Sequence, residues 1–247
     1  MNILGVKIDN INLIEAQTKV REFLISEKQY QIFTPNPEFL VQAQKDGYFK
    51  QILNSSDLNL PDGRGLQFVS RGKLKVIPGV DFILDICKIA ENLQKSIYLL
   101  GSSSEEIVKQ TAKKLQEKFP NLKIVGHNQG PKIVDHKNNK LIIENNDYLI
   151  QKINKARPDV LFVAFGMGKQ EKWIYENLTG IPSVKIAMGV GGSFDFLSEK
   201  IKRAPKWIRT IWMEWMWRLI REPKRLPRIF NATVKFLFLY TKSIFKK

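Results

Sequence analysis

Five short stretches of this chain combine polar side chains with turn-forming residues in ways that can do chemistry. Pro61-Asp62-Gly63-Arg64-Gly65 holds one carboxylate in an order that strongly favours a turn, so Asp62 is either a general base on a rigid support or a turn residue alone. Thr34-Pro35-Asn36-Pro37-Glu38 is stiffened by two prolines, and Thr34 and Asn36 offer neutral hydrogen-bonding groups suited to sugar hydroxyls. The same residues would serve equally as a helix N-cap with Glu38 in the first turn. Gly166-Met167-Gly168-Lys169-Gln170-Glu171 sets Gln170 at a helix start, where its amide can donate to an anionic or carbonyl oxygen. Gly189-Val190-Gly191-Gly192-Ser193-Phe194-Asp195 is glycine-rich, allowing close backbone approach to a ligand around Gly191, Gly192 and Ser193, with Asp195 able to accept bonds from a ribose or a base. Gly101-Ser102-Ser103-Ser104-Glu105 resembles a phosphate-binding helix start but has neither the glycine spacing nor the lysine of such sites, so capping is its simplest role.

The chain has no Asp-x-Asp pair, and its two histidines stand apart from any carboxylate or cysteine cluster, so a metal-bound diphosphate is poorly supported. Neutralising a phosphorylated leaving group then falls to arginine, whose permanent charge and forked donors match phosphate oxygens. Most of the arginines lie near the C-terminus. The single cysteine, Cys87, has no intrachain partner and reads as a small buried apolar residue in a reducing, cytoplasmic setting.

These loops need a scaffold that brings them to one place. Short apolar runs alternate with helical patterns from Tyr30 to about Gly192, which predicts an α/β fold with a Rossmann-like parallel sheet. Strands are expected over Gln31–Thr34, Leu58–Leu60, Ser96–Leu100, Lys123–Val125, Val160–Phe165 and Lys185–Met188. Helices are expected over Phe39–Leu53, Gly65–Gly72, Val80–Gln94, Ser104–Phe119, Lys140–Ala156 and Gln170–Leu178, with a small hairpin and a first helix before them. In such sheets ligands lie beyond the carboxyl ends of the strands, where all five stretches fall.

The last forty-eight residues, Lys200 to Lys247, hold fourteen Lys or Arg against two acids, together with four of the five tryptophans. This predicts a division into a core, 1–198, and a helical, basic and aromatic C-terminal appendage, 199–247, meeting an anionic surface with an apolar interior. At about 100° per residue, Ile208, Ile211, Trp212, Trp215 and Leu219 share one face between Lys206 and Arg221. That face suits lipid headgroups or packing on the core. Arg228, Lys235 and Lys242 interrupt the apolar run Leu226–Phe245, so it is expected to lie on a bilayer rather than cross it. Pro223 and Pro227 predict a bent appendage. The first residues lack the pattern of a signal peptide.

Taken in order, Thr34-Pro35-Asn36-Pro37-Glu38, Pro61-Asp62-Gly63-Arg64-Gly65, Lys169-Gln170-Glu171-Lys172-Trp173, Gly189 to Asp195, Arg203-Ala204-Pro205 and Glu214-Trp215-x-x-Arg218-Leu219 resemble the WecG/TagA/CpsF family of bacterial glycosyltransferases. The resemblance implies a peripheral enzyme at the cytoplasmic face of the membrane, working with neither metal nor cofactor. Its donor would be a UDP-sugar, typically UDP-N-acetylmannosamine, and its acceptor N-acetylglucosamine on undecaprenyl diphosphate, in teichoic acid linkage or similar surface polysaccharide synthesis. By resemblance Asp62 is the catalytic base, Thr34, Asn36 and Gln170 belong to the catalytic set, and Asp195 lies on the nucleotide side. Arg218, Arg225 and Arg228 of the appendage would reach the donor diphosphate. The family's arginine before its Gly-x-Asp element is replaced here by Lys75 or missing, and its proline before Lys-Gln-Glu by Gly168.

Other readings use the same features: another nucleotide hexose as donor in exopolysaccharide synthesis, or a non-catalytic membrane adaptor. Nucleic-acid binding, suggested by a pI near 9.8, is disfavoured because the charge is confined to the tail. An apolar patch beneath the appendage would support homo-oligomers.

Overall fold

The computed structural model describes residues 1–135, 141–201, 204–205, 208, 216–217, 219 and 226–245, with backbone alone for 134 and 135. The chain begins with a tiny antiparallel hairpin, β1 (Asn2–Ile3) and β2 (Val6–Lys7), followed by α1 (Leu13–Ile25). There follow β3 (Tyr30–Phe33), α2 (Pro37–Ala43), α3 (Gly47–Ser55), β4 (Leu58–Asn59), α4 (Arg64–Val69), α5 (Gly79–Asn92), β5 (Ser96–Leu100), α6 (Glu105–Lys118) and β6 (Lys123–Asn128). A second hairpin, β7 (Ile133–Asp135) and β8 (Leu141–Ile143), precedes α7 (Asn146–Ala156), β9 (Val160–Val163), α8 (Lys169–Asn177), β10 (Ile186–Gly189) and α9 (Ser193–Leu197). Near the C-terminus α10 (Leu226–Phe230) continues through a π-helical stretch, Asn231–Lys235, into α11 (Phe236–Ile244).

Six strands form one parallel sheet in the order β4-β3-β10-β9-β5-β6. Every residue of β5, β9 and β10 is buried, as the unbroken runs Ser96–Leu100, Val160–Val163 and Ile186–Gly189 require of strands covered on both faces. On one face Phe39, Leu53, Ile153 and Trp173 from α2, α3, α7 and α8 pack on Phe33, Leu161 and Ala187. On the other Val20, Ile86, Val108 and Phe194 from α1, α5, α6 and α9 pack on Ile32, Phe162 and Met188. Cys87 lies fully buried in this second layer, and burial pushes its thiol pKa up, which leaves it inert. The strand β3 leads into helices on the first face, whereas its neighbour β10 leads into α9 on the second. The chain thus departs in opposite directions from adjacent strands, the arrangement that opens a ligand crevice in parallel sheets.

Two expected helices are cut short. The periodic stretch Phe39–Leu53 divides into α2 and α3 because the Asp46 carboxylate accepts from Phe49 N–H at 2.9 Å, capping a new helix, and pairs with Lys172 at 2.9 Å. The helix expected from Lys140 begins at Asn146, since Leu141–Ile143 pairs with Ile133–Asp135 and Asn145 turns the chain with φ of 56°. Apolar residues at 141 to 143 fit either periodicity, and only the partner strand decides between them. The loop at 101–104 takes the simple role, Ser104 capping α6 through Ile107 N–H.

The terminal helices return to the core. Phe236 is fully buried in the first layer, and the Tyr240 hydroxyl donates to the Val69 carbonyl at 3.0 Å. Among the described residues no helix is long and apolar enough to cross a membrane. Ile208, expected on the lipid-suited stripe, is buried, and the remainder of that stripe lies outside the described residues apart from Leu219.

Removing one partner of the buried Asp46–Lys172 pair strands a charge in the core. Asp46→Ala is expected to lower stability by about 3–5 kcal/mol, read from urea denaturation; a change within experimental error would show that the pair adds nothing.

Candidate active site

The ends of β3 and β4 are joined by backbone. Leu60 N–H donates to Phe33 C=O at 2.9 Å, and two residues on Asp62 N–H donates to Pro35 C=O at 2.9 Å. Ile77 N–H closes the other side on Pro61 C=O at 2.9 Å. Asp62 is therefore held against the 34–38 loop before its side chain makes any contact. Gly63 follows with φ of 87°, a conformation costly for a residue with a Cβ, and turns the chain into α4. Gly65 admits Pro37, because a Cβ there would lie 2.6 Å from the proline Cγ.

Thr34 is buried, with the start of α5 closing over it: a Cβ on Gly79 would come within 3.1 Å of Thr34 Oγ1. Asn36 caps α2, its Oδ1 accepting from Glu38 N–H at 2.9 Å and Phe39 N–H at 3.2 Å. That commits the acceptor end of the amide and leaves the NH2 end as the donor for a ligand. The capping role and a binding role are compatible in this residue.

A second set of residues gathers beyond β9 and β10. Gln170 is 2% exposed; its Oε1 accepts from Gly191 N–H at 2.8 Å and its Nε2 donates to Glu171 Oε1 at 2.7 Å. Glu171, fully buried, also accepts from Gly168 N–H at 2.7 Å through Oε2. Burial raises its pKa from 4.5 to about 7, against the lowering effect of these hydrogen bonds. Both ends of the Gln170 amide are thus engaged inside the protein, so its clearest contribution is to hold the glycine turn. Gly189 leaves room for this, since a Cβ there would lie 2.8 Å from Gln170 Nε2. Ser193 Oγ donates to the Val190 carbonyl at 2.6 Å, and Asp195 Oδ2 lies 3.6 Å from where a Gly192 Cβ would stand.

The structure brings Thr34, Asn36 and Asp62 together in the loops that follow β3 and β4, and gathers Gln170, Gly191, Gly192, Ser193 and Asp195 beyond the end of the adjacent strand β10. Arg228 joins the first set through Glu38: its Nε donates at 2.9 Å to one carboxylate oxygen and its NH2 group at 3.0 Å to the other. Arg218 and Arg225 lie outside the described residues. Sequence reading missed Glu171 as the support of Gln170 and Glu38 as the partner of Arg228. The first had only a partial signal, a glutamate three residues after Gly168 that can accept from its N–H. The second had no local signal.

Two changes test these supports. Gly65→Ala forces the Pro37 ring aside and is expected to cost about 1–3 kcal/mol in thermal denaturation; an unchanged Tm would mean the two loops are not in tight contact. Because the Glu171 proton is held more tightly in the folded state, stability is expected to fall as pH rises from 4.5 to about 7 and to level off above that. Glu171→Gln should flatten this part of the Tm–pH curve, and an unaltered slope would assign it to another group.

The comparisons with known proteins agree with one another. The Glycosyl transferase WecG/TagA/CpsF family matches residues 1–247. An N-acetylglucosaminyldiphosphoundecaprenol N-acetyl-beta-D-mannosaminyltransferase of Bacillus subtilis (strain 168) is 33% identical over 204 residues, 81% of this chain and 75% of that protein. A protein of the same description from Staphylococcus aureus (strain MW2) is 27% identical over 250 residues, 98% of this chain and 92% of its own. With a match running through every loop described above, the chain belongs to the WecG/TagA/CpsF family of glycosyltransferases.

Proposed function

We propose that this protein is a hexosyltransferase that moves N-acetylmannosamine from UDP to N-acetylglucosamine-diphospho-undecaprenol in surface polysaccharide synthesis, acting as a peripheral protein on the cytoplasmic face of the membrane. The observation that carries this reading is the Asp62 turn, tied by backbone to the Thr34–Asn36 loop at the open edge of the sheet, in a chain whose relatives bear that activity in their names.

In this reading Asp62 takes the proton of the acceptor hydroxyl as the oxygen attacks the anomeric carbon and UDP departs, inverting the centre through an oxocarbenium-like transition state. Asn36 offers its NH2 group and Thr34 its hydroxyl to the sugar. Gln170 keeps the Gly191 turn in place, and Gly192, Ser193 and Asp195 border the nucleotide. Charge grows on the diphosphate as the glycosidic bond breaks, and arginines that stabilise that charge lower the barrier rather than merely tightening donor binding. Arg228 is suited to this: Glu38 holds one edge of its guanidinium, leaving three of the five N–H donors for phosphate, and the side chain is half exposed. Arg218 and Arg225 complete the set in this proposal. With residues 199–247 as a membrane-resting appendage, the cations arrive where the lipid acceptor resides.

Product mass analysis with a panel of nucleotide sugars and a synthetic polyprenyl-diphosphate-linked N-acetylglucosamine tests the reading. UDP-N-acetylmannosamine is expected to be the preferred donor; turnover of another hexose alone would change the substrate, and none at all would favour an adaptor. Asp62→Asn is expected to lower kcat by about 10²–10⁴ with little change in KM, and unchanged kcat would remove Asp62 from the role of base.

A further inference from the structure

A groove of about 630 Å3 lies between α4 and α11, outside the loops that hold the site. Phe68 and Val69 form one wall, Leu237, Tyr240 and Ile244 the other, and Arg71 stands at its rim. It is an open groove with mainly apolar walls rather than an enclosed cavity. Its architecture is built rather than incidental, since the bond from the Tyr240 hydroxyl to the Val69 carbonyl joins the two walls. Phe68 is nonetheless 68% exposed and Ile244 53%, a large apolar cost to leave in water.

Three observations specify what covers it. The first is position. The helix α4 starts directly after Asp62 and Gly63, and its six residues advance about 9 Å at roughly 1.5 Å each. The groove lies at the far end of α4, so a ligand seated in it and reaching Asp62 needs a polar head of about the length of a sugar and a diphosphate. The second is charge: Arg64 at the start of α4 and Arg71 just beyond its end are cations flanking that path, while the groove walls are mainly apolar. The third is the surroundings. Leu226, Phe230, Val234 and Phe238 follow one another at helical spacing along α10 and α11 and all are exposed, so the helices that lead into and supply one wall of the groove also carry an apolar stripe.

We infer that the α4–α11 groove is the seat of the first isoprenoid units of a prenyl diphosphate, with Arg71 beside its phosphate and the acceptor sugar extending along α4 to Asp62. This rests on the lipid-linked acceptor proposed above and adds the place where its hydrocarbon is recognised. It also gives the tail helix a role beyond membrane contact, because α11 supplies half of the groove.

The test uses the full chain and a photoactivatable farnesyl diphosphate, whose labelling does not depend on turnover. Labelling is expected on residues 66–72 and 236–244 and is expected to fall about tenfold in Phe68→Ser and Leu237→Ser, roughly the factor for losing the burial of one large apolar side chain. Labelling elsewhere, or labelling equally suppressed by a neutral lipid of the same length, would overturn the inference, the latter by showing a general membrane-contact patch. Circular dichroism and Tm of both variants separate lost binding from lost folding, and Arg71→Gln, which leaves the walls intact, should weaken the diphosphate probe but not a prenyl alcohol. Labelling in the groove without sugar transfer to any polyprenyl acceptor would instead count against the transferase reading while leaving the groove assignment in place.

Discussion

A single backbone hydrogen bond, from Asp62 N–H to the Pro35 carbonyl, fixes how the two loops of the proposed reaction centre face each other. Its net worth to stability is modest, about 0.5–1.5 kcal/mol like others of its kind, but position matters more here than energy. A carboxylate that takes a proton in a transition state has to be in place before the reaction begins. The parallel pairing of β3 with β4 aligns the loops, Gly63 turns the chain away, and Gly65 lets Pro37 close the gap. All of these steps are made by backbone and by the neighbouring glycines and proline, so they position Asp62 whatever its side chain does.

The support behind the second set of loops is polar and buried. Gln170, Glu171 and Lys172 are consecutive, each at most 2% exposed, and each has a partner. Gln170 holds Gly191, Glu171 holds Gln170 and Gly168, and Lys172 reaches Asp46 at the start of α3. Burying such groups is costly unless their bonds are made, so the arrangement tolerates few alternatives. The first turn of α8 thereby links the glycine turn beyond β10 to a helix start on the same face of the sheet.

The tail helices connect this rigid core to what lies outside it. Phe236 anchors α11 in the core, Glu38 grips Arg228, and an apolar stripe on the outer side stays exposed. In the proposed function, an element that meets both a lipid surface and the rim of the site couples location to activity. Glu38 has two tasks, standing in the first turn of α2 and pairing with Arg228.

Much of this was legible in the residues. Unbroken apolar runs such as Ser96–Leu100 announced a sheet covered on both faces, and turn-forming loops followed them at its carboxyl edge. The limits of α3 and α7, the service of Glu171 to Gln170, the Arg228–Glu38 pair and the burial of Ile208 were decided by tertiary structure alone. Periodicity records which side chains seek burial but not what buries them. The deciding partners stand far away in the chain, Lys172 for Asp46, the strand at 133–135 for residues 141–143, and a glutamate 190 residues distant for Arg228. Such contacts form only once the sheet has set the distances between its loops.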